Sequence, residues 1–280
     1  MIGVMLVLGL VLSACTGAGA QSPTPEATSA GSSIPASQVG GARGGPDPSN
    51  GPSVCDIGQQ RDAKGACAPC PDLEGCYTSA DQMQHFADTI IPMITEWADY
   101  EYEAMPRPTN WLYIPTGTTG QMACVDDADQ PEVYNDMSYA YCPADKTVYL
   151  GEQALWQYYN EAGDAGAAVG IAHEFGHHIQ RTVEVAQPAN MSDQLFSITL
   201  ENQADCVAGV WFQRQIGLGR VVQDDLEDID KVIAMIASLE DDLTRDHGTV
   251  SERSDSFIKG MRGGLQACNA FFPDTPIIVA

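Results

Sequence analysis

His173 and His177 stand four residues apart, with Glu174 directly after the first, in the run His173-Glu174-Phe175-Gly176-His177. Nothing else constrains the fold as tightly, because an α-helix is what sets residues four apart on one face, one turn apart. From that face both imidazoles can reach one metal ion at about 2.0–2.1 Å. Glu174 then lies beside the ion, placed to take a proton from a water that the ion holds. Zinc lowers the pKa of such a water to about 7. The preceding run, Asp164-Ala165-Gly166-Ala167-Ala168-Val169-Gly170-Ile171-Ala172, has small residues that neighbours can approach closely. A helix is predicted from about Asp164 to Val185.

A catalytic zinc site takes three protein ligands and leaves a fourth position to water. The residues after His177 are His178-Ile179-Gln180-Arg181, so no third His follows at the H-E-x-x-H-x-x-G-x-x-H spacing. The remaining option is a Glu from a second helix, and Glu201 fits. It lies in an apolar-periodic segment that starts near Ser192 or Asp193 and meets a stop signal at Gly217. Leu195, Ile198, Val207, Val210 and Trp211 are its expected buried stripe. Asp205, one turn beyond Glu201, is placed to accept the second N–H of a ligating His. His178 is turned about 100° from His177 and is not expected to bind. The competing reading makes Glu201 and Asp205 surface carboxylates on a solvated helix. The chain has five His, and the placing of His173, His177 and His178 in one run favours the metal centre.

Further segments carry a family resemblance: Tyr141-Cys142-Pro143-Ala144-Asp145 leading into Lys146-Thr147-Val148-Tyr149-Leu150, then His173 to Gln180, Glu201 to Trp211, and His247-Gly248-Thr249-Val250-Ser251-Glu252-Arg253. In this order, from about Thr78 to Pro273, the chain resembles the bacterial neutral zinc metallopeptidases, which have gluzincin-type sites. The resemblance implies a zincin-like catalytic domain with His173, His177 and Glu201 on zinc and Glu174 as general base. Thr199 and Asn202 stand where that family more often has Arg and Leu; no ligand is lost.

Lys146 to Leu150 has strand character. As an edge strand it could pair with an extended peptide; an ordinary sheet strand is the equal alternative. His247, beside a turn signal, is a candidate donor to the oxyanion of a tetrahedral intermediate, or a surface residue. Tyr141 and Tyr149 are rival donors. His85, on an amphipathic helix, reads as structural.

The chain has 280 residues, enough for one sizeable domain with appendages. Residues 1–14 are uncharged and almost wholly apolar, and the segment 1–15 ends in Leu12-Ser13-Ala14-Cys15, which resembles a lipoprotein signal, although no Lys or Arg precedes the apolar run. As a helix it would span about 21 Å, short of a bilayer core of about 30 Å, so a signal peptide is expected rather than a span. The resemblance makes Cys15 the lipid-bearing residue, with two or more acyl chains anchoring it to the membrane. Residues 16–53, rich in Gly, Pro, Ser and Thr, read as a flexible linker of roughly 30–40 Å mean span. A Cys-rich segment, 54–77, and a peptidase domain, 78–280, follow.

Of nine Cys, Cys15 is set aside and eight remain, an even number that in an exported chain implies disulfides. Cys55, Cys67, Cys70 and Cys76 crowd one patch, with a four-thiolate zinc knot as the alternative. Cys124 and Cys142 flank one loop and are expected to pair, which leaves Cys206 with Cys268. About a hundred pairings are open on sequence alone. Net charge is −25, from 13 Lys and Arg against 38 Asp and Glu, which excludes nucleic acid and anionic headgroups as partners.

Along the chain, Asp81 to Ala104 reads as a helix kinked or divided at Pro92, Trp111 to Ile114 as a strand, and Cys124 to Tyr141 as acidic loop. Leu226 to Ile236 and Ser251 to Leu265 read as helices. The expected fold is helix-rich α+β with a small sheet. The expected function is a zinc endopeptidase, exported and lipid-anchored on the outer side of the cell membrane, acting on peptides or proteins. The alternative is a non-catalytic zinc-containing envelope lipoprotein that binds a partner peptide. Glu174 argues against it, since a structural site has no use for a base.

Overall fold

The computed structural model describes residues 59–61, 67–69, 76–101, 107–126, 128–221, 223–240 and 242–278. Cys15, the linker 16–53, Cys55 and Cys70 lie outside the described residues. A two-stranded ribbon, β1 (Gln59–Arg61) and β2 (Cys67–Pro69), comes first. Then follow α1 (Met83–Glu101), β3 (Asn110–Ile114), β4 (Gly120–Val125), β5 (Pro131–Tyr134), β6 (Tyr139–Cys142) and β7 (Thr147–Gly151). Four helices complete the order: α2 (Glu152–Thr182), α3 (Asp193–Gly217), α4 (Gln223–Ile236) and α5 (Val250–Cys268). The fold is helix-rich α+β. Among the described residues, no helix is long and apolar enough to cross a membrane.

α2 forms the centre. α1, α3 and α4 pack on it, and α5 packs on α3. The sheet has strand order β3-β7-β6, with β3 parallel and β6 antiparallel to β7. Alternation along β7 serves two cores. Val148 and Leu150 face the helices with Leu155, Ile171 and Phe175. Tyr149 faces the other way, into a small core with Ile114, Met122, Cys124 and Cys142.

Several sequence expectations change. Of the two readings of Lys146 to Leu150, the ordinary sheet strand holds and the edge strand does not: β7 is central, with no free edge for a peptide, and β6 has one. Cys124 to Tyr141 is not loop throughout, because β4 pairs with β5 and β6 begins at Tyr139. Buried Met122 and Cys124 alternate with exposed neighbours in β4, a two-residue period too short to stand out in an acidic stretch. Pro92 does not divide α1. The buried face Met83, Phe86, Ile90, Ile94 and Trp97 continues through it, and that burial outweighs a proline cost of about 3 kcal/mol. Leu195 is 50% exposed rather than part of the α3 stripe.

α2 starts at Glu152, well before Asp164. The chain leaves helical geometry at Gly163 (φ 90°, ψ 176°), a left-handed φ that glycine tolerates, and the active segment restarts at Asp164. The Asp228 carboxylate of α4 occupies the space a Cβ at Gly163 would need. α3 begins where expected, with the Ser192 side chain accepting from the Leu195 N–H at 3.2 Å.

The α3–α5 contact is made by backbone. A Cβ on Gly209 would meet the Phe257 carbonyl, and one on Gly260 the Cys206 carbonyl. Disulfides join Cys206 to Cys268 and Cys124 to Cys142, the pairings expected. Cys76 is also disulfide-bonded, which removes it from a four-thiolate zinc knot. The segment between α4 and α5 is tied to α3: Gln194 donates to the carbonyls of Leu243 (2.8 Å) and Arg245 (3.0 Å), and Ser197 to that of Asp246 (3.2 Å). These bonds bring His247 back to the start of α3.

Candidate metal centre

α2 presents His173 and His177 on one face, and α3 lays Glu201 across them. The two Nε2 atoms are 3.1 Å apart, and the Glu201 carboxylate spans them, with Oε2 3.2 Å from His173 Nε2 and Oε1 3.2 Å from His177 Nε2. Ligands 2.0–2.1 Å from a tetrahedral ion stand about 3.3 Å apart, so this triangle has the size of such a site. Among the described residues, His173, His177 and Glu201 form one of two buried groups able to hold a metal. The other is Asp164, Asp225 and Asp228 between α2 and α4, where Lys231 pairs with Asp228 at 2.9 Å.

The hydrogen bonds behind the triangle orient it. His173 Nδ1 is 2.8 Å from Asp205 Oδ1, and His177 Nδ1 is 2.9 Å from Gln180 Oε1. Both partners accept, so each Nδ1 is the N–H donor and each Nε2 is left to bind a cation. Gln180 is held in that sense by its own amide N–H groups, which donate to the Leu200 carbonyl (2.8 Å) and to Gln203 Oε1 (3.0 Å). Gln203 donates in turn to the Cys268 carbonyl at 3.1 Å. Asp205 also accepts from Arg253 of α5 at 2.8 Å, and Arg253 is 1% exposed. The residues therefore fit zinc: two nitrogen donors with fixed tautomers, one carboxylate, and acceptors behind both imidazoles.

Glu174 lies beside the triangle. Burial raises its pKa above the ordinary value; His177 and His173 oppose this, and the Tyr141 backbone N–H donates to its carboxylate. Its Oε2 is buried and has no hydrogen-bond partner. Burial also raises the pKa of Glu201 and Asp205, but their cationic neighbours win and both are lowered. His247 Nε2 is 3.6 Å from Glu201 Oε2, and its Nδ1 is 2.6 Å from Asp246 Oδ1. Of the rival donors, the Tyr141 hydroxyl is engaged with His178 Nδ1 at 3.0 Å. The Tyr149 hydroxyl donates to Asp145 at 2.7 Å, on the opposite face of the sheet. His178 is fully buried behind the site, and His85 is exposed on α1.

Burial alone would lower the His173 pKa, but Asp205 and Glu201 raise it from 6.5 to about 10. A His173 so raised is expected to carry a proton at pH 8 that an arriving metal displaces. Zinc uptake at pH 8 is expected to release about one proton or more, and the His173 share should vanish above pH 10. Calorimetric titration of zinc into chelator-treated protein, in two buffers of different ionisation enthalpy, reads this directly. Uptake at pH 8 without proton release would show that His173 is neutral before the metal arrives.

Sequence reasoning missed Gln180 and Arg253. The signal for Gln180 was its place three residues after His177, where helix neighbours meet. For Arg253 there was no local signal, since it meets Asp205 only through the α3–α5 packing.

The family described as "putative neutral zinc metallopeptidase" matches residues 132–271. Among curated proteins, the chain is similar to uncharacterized protein YpfJ of Escherichia coli K12, at 31% identity over 158 residues, 47% of this chain and 53% of that protein. It is also similar to uncharacterized protein Rv2575 of Mycobacterium tuberculosis H37Rv, at 28% identity over 244 residues, 76% of this chain and 80% of that protein. The chain thus spans about half the length of the Escherichia coli relative. No solved structure matches it.

Proposed function

Since this chain belongs to the neutral zinc metallopeptidase family, we propose that it hydrolyses peptide bonds at a zinc ion held by His173, His177 and Glu201. The observation that carries this reading is the Nε2–Nε2–carboxylate triangle with buried Glu174 beside it, one carboxylate oxygen free of hydrogen bonds. Zinc, when bound, supplies a Lewis acid that lowers the pKa of a water to about 7 and polarises a carbonyl.

The chain's own residues do the rest. Glu174 takes a proton from the attacking water and hands it to the leaving amine, a transfer helped by a carboxyl whose pKa burial has raised. Asp205 and Gln180 hold the imidazole tautomers. β6, an edge of the sheet, sends the Tyr141 N–H toward Glu174. An extended peptide adding to that free edge by main-chain hydrogen bonds would lie beside the base. With both ring nitrogens protonated, His247 would give its Nδ1–H to Asp246 and its Nε2–H to the developing oxyanion. In this reading the protein is exported, anchored through Cys15 and held off the membrane by the linker 16–53.

The purified protein should bind one zinc per chain and cleave members of a peptide library. His173→Ala should lose both properties. Undiminished zinc in that variant refutes the ligand set. Zinc at full stoichiometry in the wild type, with no cleavage across the library, replaces the enzyme by the peptide-binding lipoprotein.

His247→Ala should lower kcat by about a hundredfold, the usual effect of losing an oxyanion donor. Zinc content should stay at one per chain and KM should move little. Near-normal kcat returns His247 to a role in loop packing, and lost zinc makes it a ligand.

A further inference from the structure

His247 reaches the metal centre on the segment between α4 and α5, where backbone carbonyls outside helix and sheet must find other donors. Three consecutive carbonyls are held by side chains. Gln194 donates to that of Arg245 at 3.0 Å, and Ser197 to that of Asp246 at 3.2 Å. Both donors come from α3. The third carbonyl, that of His247, accepts from Nη1 of Arg245 at 3.0 Å. The peptide that follows lies flat against its neighbours, since a Cβ on Gly248 would meet Asn202 Oδ1 and Arg253 Cγ.

The Arg245 guanidinium is fixed from its other side. Both terminal nitrogens pair with Glu252, Nη2 to Oε1 at 2.9 Å and Nη1 to Oε2. Each partner favours the charged form of the other, so the Arg245 pKa is raised and that of Glu252 lowered. Glu252 also accepts the Thr249 N–H at 2.9 Å and completes the capping box that opens α5. The turn from Arg245 to Glu252 is thereby closed on itself, with His247 inside it. A planar fork can hold a carboxylate with two nitrogens and a carbonyl with one of them; an ammonium on a flexible stem has no such geometry.

We infer that Arg245 is a positioning residue for His247. Through the His247 carbonyl it fixes the backbone from which the imidazole reaches the metal centre, where Nε2 stands 3.6 Å from Glu201 Oε2. The kinetic consequence rests on the role of His247 as oxyanion donor; the positioning does not.

The test uses the full chain with ¹⁵N-labelled histidine. In chelator-treated protein, the Nδ1–H that His247 gives to Asp246 at 2.6 Å should appear as a downfield proton resonance. His247→Ala identifies it by its loss. Arg245→Gln should broaden or remove it. Arg245→Lys keeps a charge opposite Glu252 but lacks the fork, so it should melt like wild type and still weaken the resonance. With one zinc per chain, Arg245→Gln should lower kcat about tenfold while KM moves little. In the His247→Ala background it should lower kcat no further. Near-normal kcat in His247→Ala itself refutes the oxyanion role, and the resonance alone then decides the positioning. The inference is overturned if both Arg245 variants keep the Nδ1–H resonance sharp and unshifted. It is equally overturned if, with His247→Ala slow, Arg245→Gln turns over like wild type or slows both backgrounds alike.

Discussion

Glu174→Gln should leave the fold and one zinc per chain intact while cutting peptide turnover by about 10²- to 10⁴-fold, the range supplied by a positioned general base. The substitution keeps shape and volume at a position that is 4% exposed. The amide can still accept the Tyr141 N–H, as the carboxylate does, so the strand beside the site has no reason to move. What disappears is the ability to hold a proton between the attacking water and the leaving amine. KM should change little, because the lost interaction matters mainly as the proton moves. Zinc analysis alongside single-turnover hydrolysis separates the outcomes. Equal turnover by wild type and variant would show that Glu174 is not the base. Loss of zinc would instead place Glu174 on the metal.

Arg253→Met should destabilise the protein by about 3–5 kcal/mol, the usual cost of breaking a buried ion pair by removing one partner. The guanidinium is 1% exposed and makes the 2.8 Å bond to Asp205, which opposes burial in lowering the Asp205 pKa. Without it, Asp205 is a buried carboxylate with His173 as its remaining partner, and it holds the His173 ring less firmly in the ligating orientation. Zinc affinity should fall about 10- to 100-fold, as for other outer partners of metal ligands. Urea unfolding of the chelated protein reads the first effect, and competition with a coloured chelator the second. Arg253→Met with Asp205→Leu removes both charges and should recover much of the stability but none of the zinc affinity. If the double variant binds zinc like wild type, the Arg253–Asp205 pair serves the fold alone.

The local half of the site was legible and the tertiary half was not. His173, Glu174 and His177 follow from helical spacing, and the helix of Glu201 showed both its Ser192 cap and its Gly217 stop, because caps and periodicity are properties of neighbouring residues. Arg253 is 48 residues from Asp205 in sequence, and only the crossing of α3 with α5 joins them. Strand order was not legible for the same reason. Lys146 to Leu150 reads as a strand from its own residues, but the central place of β7 depends on β3 pairing in parallel across the intervening β4 to β6. The early start of α2 was hidden by Gly163, whose non-helical backbone divides one long element into two stretches, only the second of which carries the motif.

The contact at Gly209 and Gly260 bears on how this protein can change. Neither position has room for a methyl group, so the two helices cannot be respaced by substituting their facing residues. Glu201 and Asp205 ride on one and Arg253 on the other, with His247 just before the second helix begins. An engineer, or natural drift, can therefore remodel β6 or the surface of α1 piecemeal. The back wall of the metal centre must be inherited or transplanted as a unit.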